Sequence, residues 1–329
     1  MDNTHGRRRA RRLSWLFCLT LTTVSVLHAL LLVTVRRLVP ESHLLGYLLV
    51  YAPQPPLLAP LGALALLCLL LRQPRLALVN MGVLGVAIVL VLPPVLPHRP
   101  PRHNPAQRLR VVTWNVHGED RHLAEIQATL ARLQPDVVCL QEAQEKAFAQ
   151  ALPGAQADHT HEVRTLTRGR IVSRHTFPLG SPGTWRWGLS TDIELPQGRL
   201  SVLNVHYVVG VRHHVAQARQ GLPDRIEDAR ETSNKRVLAW LRETRGPRIV
   251  CGDFNTPPGA RLYRDLRAEA QDAFGRAGLG WGFTFSRRRP MIRIDYVWCA
   301  GGVMPVSSRA RDGEVSDHRL VVTDLILPR

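Results

Sequence analysis

The stretch Val111-Val112-Thr113-Trp114-Asn115-Val116-His117-Gly118 runs as a short apolar strand and then stops at polar side chains able to do chemistry. The same plan returns at Ile249-Val250-Cys251-Gly252-Asp253-Phe254-Asn255. Val137-Val138-Cys139-Leu140 leads into Gln141-Glu142, and Val202-Leu203 into Asn204-Val205-His206. Arg293-Ile294-Asp295-Tyr296 opens a strand, and Ser316-Asp317-His318 precedes the last one. Runs this short and this rich in Val, Ile and Leu predict strands at Leu109 to Trp114, Asp136 to Leu140, Leu200 to Val205, Arg248 to Cys251, Ile294 to Trp298 and Leu320 to Leu327. Helices are expected at Arg121 to Gln134, where Leu123, Ile126, Leu130 and Leu133 share a face, and at Thr232 to Arg245, with Thr232 or Ser233 as cap and Gly246 as stop. Leu262, Leu266 and Phe274 suggest a third. No repeat of solenoid period is present, so residues 108–329 read as one α/β or α+β domain with polar groups at its strand ends, where loops on a rigid sheet host function.

The amino-terminal third is different material. The chain has 329 residues with 43 Lys and Arg, 26 Asp and Glu, a net charge of +17 and 45% hydrophobic content. That composition excludes a disordered polymer, and five cysteines in so long a chain exclude a disulfide-stapled mini-protein. Residues 1–110 hold thirteen arginines, no lysine and two acids, so +11 of the charge sits beside apolar segments and the remainder is only +6. A basic surface for gripping nucleic acid is therefore not demanded; the charge reads as membrane topology.

A basic tail, 1–12, precedes a membrane domain at 13–96 in which three spans are expected, at 13–35, 44–71 and 76–96. Pro53, Pro55 and Pro56 make the middle one kinked or re-entrant. The first run is too long for a signal-peptide core and no small-residue cleavage site follows. The arginine cluster at 7–12 favours an inside amino terminus, and three crossings then place the carboxy-terminal domain outside the cytoplasm. Residues 97–107, rich in Pro and Arg, form a stiff linker. Cys18 and Cys68 fall in the spans, and Cys139, Cys251 and Cys299 in strands, as small buried hydrophobes.

Six segments in order, TWNVHG, LQE, NVHY, GDFN, RIDYV and SDHR, resemble the motif series of the endonuclease/exonuclease/phosphatase superfamily, which includes pancreatic deoxyribonuclease, abasic-site endonucleases, sphingomyelinases and inositol-phosphate phosphatases. The resemblance spans about two-thirds of the chain. It implies a four-layer sandwich of two packed β-sheets flanked by helices. It also implies a divalent ion, Mg²⁺ or Mn²⁺, held by Glu142, Asn115 and Asp317, a choice that all-oxygen ligands favour over zinc. By the same resemblance Asp253 holds or deprotonates water, Asn255 fixes a phosphate oxygen, and His206 and His318 meet the phosphate or leaving group, with Asn115 near both metal and phosphate. Asp295 matches the partner that turns and protonates His318. His117 reads as a supporting or turn residue.

These residues are what phosphoester hydrolysis needs: a cation on the oxygens, an orienter or base for water, and a proton for the leaving group. The superfamily does not specify a substrate. Two basic stretches, the Tyr207 to Asp228 insert and Arg287-Arg288-Arg289, are candidate grips for phosphate or head groups. Anchoring favours a lipid head group or lipid pyrophosphate at the bilayer, because a tethered site meets lipid-borne substrate at high effective concentration. A tethered nuclease acting on DNA or RNA is the alternative, and a non-catalytic phosphate-binding module a second. No protein partner is implied.

Overall fold

The computed structural model describes residues 3–39, 41, 43–96, 104, 107–118, 122–181, 186–209 and 223–328. Most of the 97–107 linker and the centre of the Tyr207 to Asp228 insert, with Arg212, His213, His214 and Arg219, lie outside the described residues. Two compact units divide the chain, Met1–Pro94 and Val95–Arg329.

The first unit is helical: α1 (Asn3–Leu38), α2 (Leu44–Tyr51), α3 (Gln54–Leu70) and α4 (Pro74–Val91). Two helices, Arg8–Leu38 and Pro74–Val91, are each long and apolar enough to cross a membrane, against the three spans expected, the middle one kinked or re-entrant. The middle run is a pair bent by 85° at Ala52-Pro53, and it counts as a third only as a broken span or a re-entrant loop. Proline supplies the break by withholding a backbone donor. Gln54 then staples it, donating from Nε2 to Leu49 O, Val50 O and Ala52 O, while Arg36 Nη1 donates to Leu49 O and Gln54 Oε1. Two further boundaries differ from expectation. The basic stretch at 7–12 continues α1, since arginine is a good helix former. α4 stops at Val91, not Leu96, because Pro93-Pro94 cannot extend it.

The second unit alternates strands and helices: β1 (Arg108–Asn115), α5 (Leu123–Leu133), β2 (Val137–Gln141), β3 (Gln156–Thr160), β4 (Val163–Thr167), β5 (Arg170–Leu179), β6 (Arg186–Leu195), β7 (Gly198–His206), α6 (Pro223–Glu243), β8 (Arg248–Asp253), α7 (Arg261–Glu269), β9 (Gln271–Asp272), α8 (Ala273–Ala277), β10 (Asp295–Ala300), β11 (Met304–Arg311) and β12 (Leu320–Ile326). They make two six-stranded mixed sheets, in the orders β11-β12-β1-β2-β4-β3 and β5-β6-β7-β8-β10-β9. With helices outside, this is the four-layer α+β sandwich.

Strand periodicity sorts the side chains. Leu109, Val111, Val137, Cys139, Val202 and Ile249 join one core between the sheets. The alternate residues Val112, Trp114, Val138 and Leu140 pack outward with Ile126 and Leu130 of α5. Val205, Val250, Tyr296 and Trp298 do the same with Val237 and Leu241 of α6.

Two helix expectations need correction. α6 starts at Pro223, about two and a half turns before the expected cap. Ser233 is interior, its hydroxyl donating to Ala229 O at 2.8 Å, so it satisfies itself within the helix instead of capping it. The third helix divides into α7 and α8 around the two-residue strand β9.

Gly252 carries a backbone requirement. It sits in β8 at φ +146, and an added Cβ would lie 1.9 Å from Val205 O. Gly252→Ala is expected to destabilise the domain by roughly 3 kcal/mol or more, read from thermal unfolding of the full chain in detergent. A loss under about 1 kcal/mol would show that the two strands move apart at little cost.

Candidate active site

Register builds the site. Asn115 stands opposite Gln141 in the parallel β1/β2 pair, His206 opposite Asp253 in parallel β7/β8, and Asp253 opposite Asp295 in antiparallel β8/β10. Each continues its strand's inward row: Val111, Thr113, Asn115; Val137, Cys139, Gln141; Val202, Asn204, His206; Ile249, Cys251, Asp253. The core between the sheets thus changes from apolar to polar at one end, and all five side chains are buried there. Beneath them Gln141 Nε2 donates to Asn204 Oδ1 at 2.8 Å and Thr113 Oγ1 at 3.1 Å, while Asn204 Nδ2 donates to Leu140 O and Arg164 O. This satisfied floor holds the site rigid across both sheets.

Asp253 is the hub. Its Oδ1 accepts from Asn255 N at 2.8 Å; its Oδ2 accepts from Asn115 Nδ2 at 3.2 Å and lies 3.6 Å from His206 Nε2 and 3.7 Å from His318 Nε2. Burial, with the Asp295 carboxylate beside it, pushes the Asp253 pKa up, against the pull of His318, His206 and the Asn255 N–H. His318 Nδ1 meets Asp295 Oδ2 at 3.0 Å. Burial disfavours a charged His318, but Asp295 and Asp253, with Asp317, overcome it and raise the ring to about 10. Asp295 is held from behind, its N–H and that of Ile294 donating to Thr284 Oγ1. Ser316 Oγ donates to Asn115 O at 2.6 Å and accepts from His318 N at 3.0 Å, tying the last loop to β1.

Glu142 lies at the open side. Its Oε1 accepts from Asn115 Nδ2 at 2.9 Å and stands 3.8 Å from His206 Nε2. His117 Nδ1 is 3.7 Å from both Glu142 Oε2 and Asp317 Oδ1, so the two carboxylates face one another across this ring. His117, Glu142 and Asn255 all adopt positive φ, at 58°, 54° and 46°. Left-handed backbone costs a non-glycine residue about 1 kcal/mol or more, and such residues gather where function needs a side chain re-aimed. Asn255 spends one Nδ2 hydrogen on Tyr207 O at 3.0 Å, leaving one donor.

Glu162 and Arg186 escaped the sequence reading. Glu162 Oε2 lies 3.5 Å from His206 Nδ1 and is ion-paired with Arg186. Burial acts to raise Glu162, yet His206 and Arg186 outweigh it and hold the carboxyl below its usual range. Glu162 sits in the turn between β3 and β4, where no apolar strand flags its polar end. Gln141 and Asn204 were legible by parity, each two residues beyond a core residue of the same row.

Five carboxylates therefore converge here against His318 and Arg186. Such a cluster repels an anionic substrate unless a cation intervenes. Asp253, Asp295 and His318 offer ligand atoms within 4.8 Å of one another. A His318 ring protonated on both nitrogens has no lone pair for a metal, so a divalent ion fits better at Glu142 and Asp317, whose side chains are 31% and 45% exposed.

The sequence profile of the Endonuclease/Exonuclease/phosphatase family matches residues 112–318, and the chain belongs to that family. Its fold resembles an endonuclease/exonuclease/phosphatase from Bacteroides vulgatus at a TM-score of 0.55 and 18% identity, over 67% of this chain and 99% of that one. The mannosyl-6-phosphatase Bt3783 of Bacteroides thetaiotaomicron aligns at 0.53 and 16%, over 67% and 100%. A humanized D. rerio TDP2 with 14 mutations aligns at 0.51 and 16%, over 67% and 99%. No protein with a curated description matches the sequence. Family and fold together support a phosphoester hydrolase, preceded by two or three apolar helices that could span a membrane.

Proposed function

We propose that this protein is a membrane-anchored, Mg²⁺- or Mn²⁺-dependent hydrolase that attacks the phosphate of a lipid head group or lipid pyrophosphate. The observation that carries this reading is Asp253, a buried carboxylate of raised basicity, flanked by two imidazoles and by the Asn115–Glu142 pair. Glu142 and Asp317 hold the ion, with Asn115 orienting Glu142. The ion, when bound, neutralises phosphate charge and polarises the P–O bond. Asp253 orients the attacking water and takes its proton. His318, kept charged by Asp295, donates from Nε2 to the phosphate as its charge grows and gives that proton to the leaving oxygen as its bond to phosphorus breaks. His206, set by Glu162, and the remaining Asn255 donor do the same from the other side.

The helices support the anchor. α3 has 17 residues, about 25 Å at 1.5 Å per residue, which approaches the bilayer core on its own. Only Leu71 to Gln73 separate it from α4, so the two return on each other. Crossings by α1, α3 and α4 with the arginine-rich amino terminus inside put the hydrolase domain outside the cytoplasm. A reporter joined after Leu96 is expected on the outer side; cytoplasmic labelling means that α2 and α3 re-enter without crossing.

The test is turnover by the full chain in detergent with Mg²⁺, on sphingomyelin, isoprenoid pyrophosphate, inositol phosphates and DNA. A lipid substrate is expected to be preferred, and preferential cutting of DNA overturns the lipid reading in favour of a nuclease. Chelation by EDTA should remove at least about 99% of turnover, with Mg²⁺ or Mn²⁺ restoring it. Activity that survives chelation counts against the ion.

A further inference from the structure

A second feature of the catalytic unit lies apart from Asp253. Residues 279–283, Leu-Gly-Trp-Gly-Phe, form a tip on which Leu279 is 69% and Trp281 43% exposed, with Trp281 stacked on Phe283 at 5.9 Å. Large apolar side chains this open, grouped at one spot, mark a contact surface. The tip pairs with Val95: Val95 N donates to Gly280 O at 2.7 Å and Gly280 N to Val95 O at 2.8 Å. Leu96, beside that bridge, is 68% exposed. Val95 follows Val91, the last residue of α4, by four positions. At no more than about 3.6 Å per residue, chain length alone keeps Val95, the residue bridged to the tip, within roughly 15 Å of the helix end.

Next to the tip opens a cleft of about 720 Å³. Its walls combine Phe274, Trp281 and Phe283 with Arg108, Arg309 and Arg319; among the described residues no acid lines it, though Arg108 Nη1 stands 3.7 Å from Asp324 Oδ2. Among the described residues Arg309 and Arg319 have no carboxylate within ion-pair distance, and Arg319 follows His318 directly in the chain. Aromatic surface beside guanidinium groups suits the interfacial layer of a bilayer, where tryptophan rings settle at head-group level and arginines pair with phosphate. We propose that the Leu279–Phe283 tip and Leu96 insert into the bilayer interface and that the Arg108–Arg309–Arg319 cleft takes the phosphate of an anionic phospholipid. This rests on the reading that the amino-terminal helices are a membrane anchor. The contact holds the catalytic domain down on the surface.

The experiment uses the full chain with Leu279→Cys carrying an environment-sensitive fluorophore, in vesicles of phosphatidylcholine alone or with phosphatidylglycerol. All five native cysteines are buried, so labelling is confined to position 279. Blue-shifted emission, quenched by head-group nitroxide lipid and stronger in the anionic vesicles, is expected. Arg309→Gln should lower the ratio of quenched to unquenched probe roughly fivefold in anionic vesicles and leave it unchanged in phosphatidylcholine. Inorganic phosphate that matched phosphatidylglycerol in restoring the effect would assign the cleft to a soluble anion and overturn the lipid reading. Alkaline carbonate extraction of the same samples separates the two failures. Water-like emission from a chain that stays in the pellet overturns the contact while the anchor stands; release into the supernatant overturns the anchor, and the contact with it. Quenching that ignores both Arg309 and lipid charge overturns the cleft assignment.

Discussion

Replacement of Asp253 by alanine is expected to lower kcat by about 10⁴-fold with the fold intact, measured on the best substrate of the panel at saturating Mg²⁺. The size follows from the number of partners that converge on this one carboxylate. Asn115, Asn255, His206 and His318 all address it, at 2.8 to 3.7 Å. Taking it away removes the base for water and leaves two imidazoles aimed at an empty place. A loss of 10⁴ is about 5.5 kcal/mol of transition-state stabilisation, more than a hydrogen bond alone supplies. Asp253→Asn keeps the shape and the Asn255 contact but has no basicity, so it should be nearly as inactive. If the asparagine variant retained more than about a tenth of the turnover, Asp253 would be an orienting group and the proton would go elsewhere.

Loss of the His318 ring should be almost as costly, about 10³-fold to 10⁴-fold in kcat. Asp295→Asn is the more informative partner. The carboxylate now accepts from Nδ1 at 3.0 Å and keeps the ring charged and turned toward Asp253. An amide there presents a donor to the same nitrogen, favours the opposite tautomer and removes the charge that raised the ring. Turnover should fall nearly as far as in His318→Ala, with KM little changed. The double variant should be no worse than the worse single, since the two act as a unit. Additive losses would show that Asp295 acts independently of His318.

Much of the architecture could be read in the residues. The six expected strands all form, because each is a continuous apolar run that a sheet buries on both faces. β3, β4, β5, β6, β9 and β11 carry no such signal: Arg170–Leu179 is mostly exposed at the edge of its sheet, and Met304–Arg311 alternates without a run of large hydrophobes. Pairing with a neighbour makes these strands, and pairing partners are remote in the chain. The helix starts lie elsewhere for a related reason, since a serine at position 233 looks like a cap until the ten residues of helix before it are seen.

For the site, sequence alone determined which residue types stand at the strand ends, and the ordered motifs determined the family to which the chain belongs. Tertiary structure decided which of them meet. Asn115 and Asp253 are 138 residues apart and share a hydrogen bond only because the two sheets pack face to face. Glu162 and Arg186 carry no local mark, and became visible only as the pair behind His206. The bridge from Gly280 to Val95 belongs to the same class. Local pattern follows from each residue's own preference for strand, helix or turn, whereas register and sheet packing are collective, set by burying every apolar row at once.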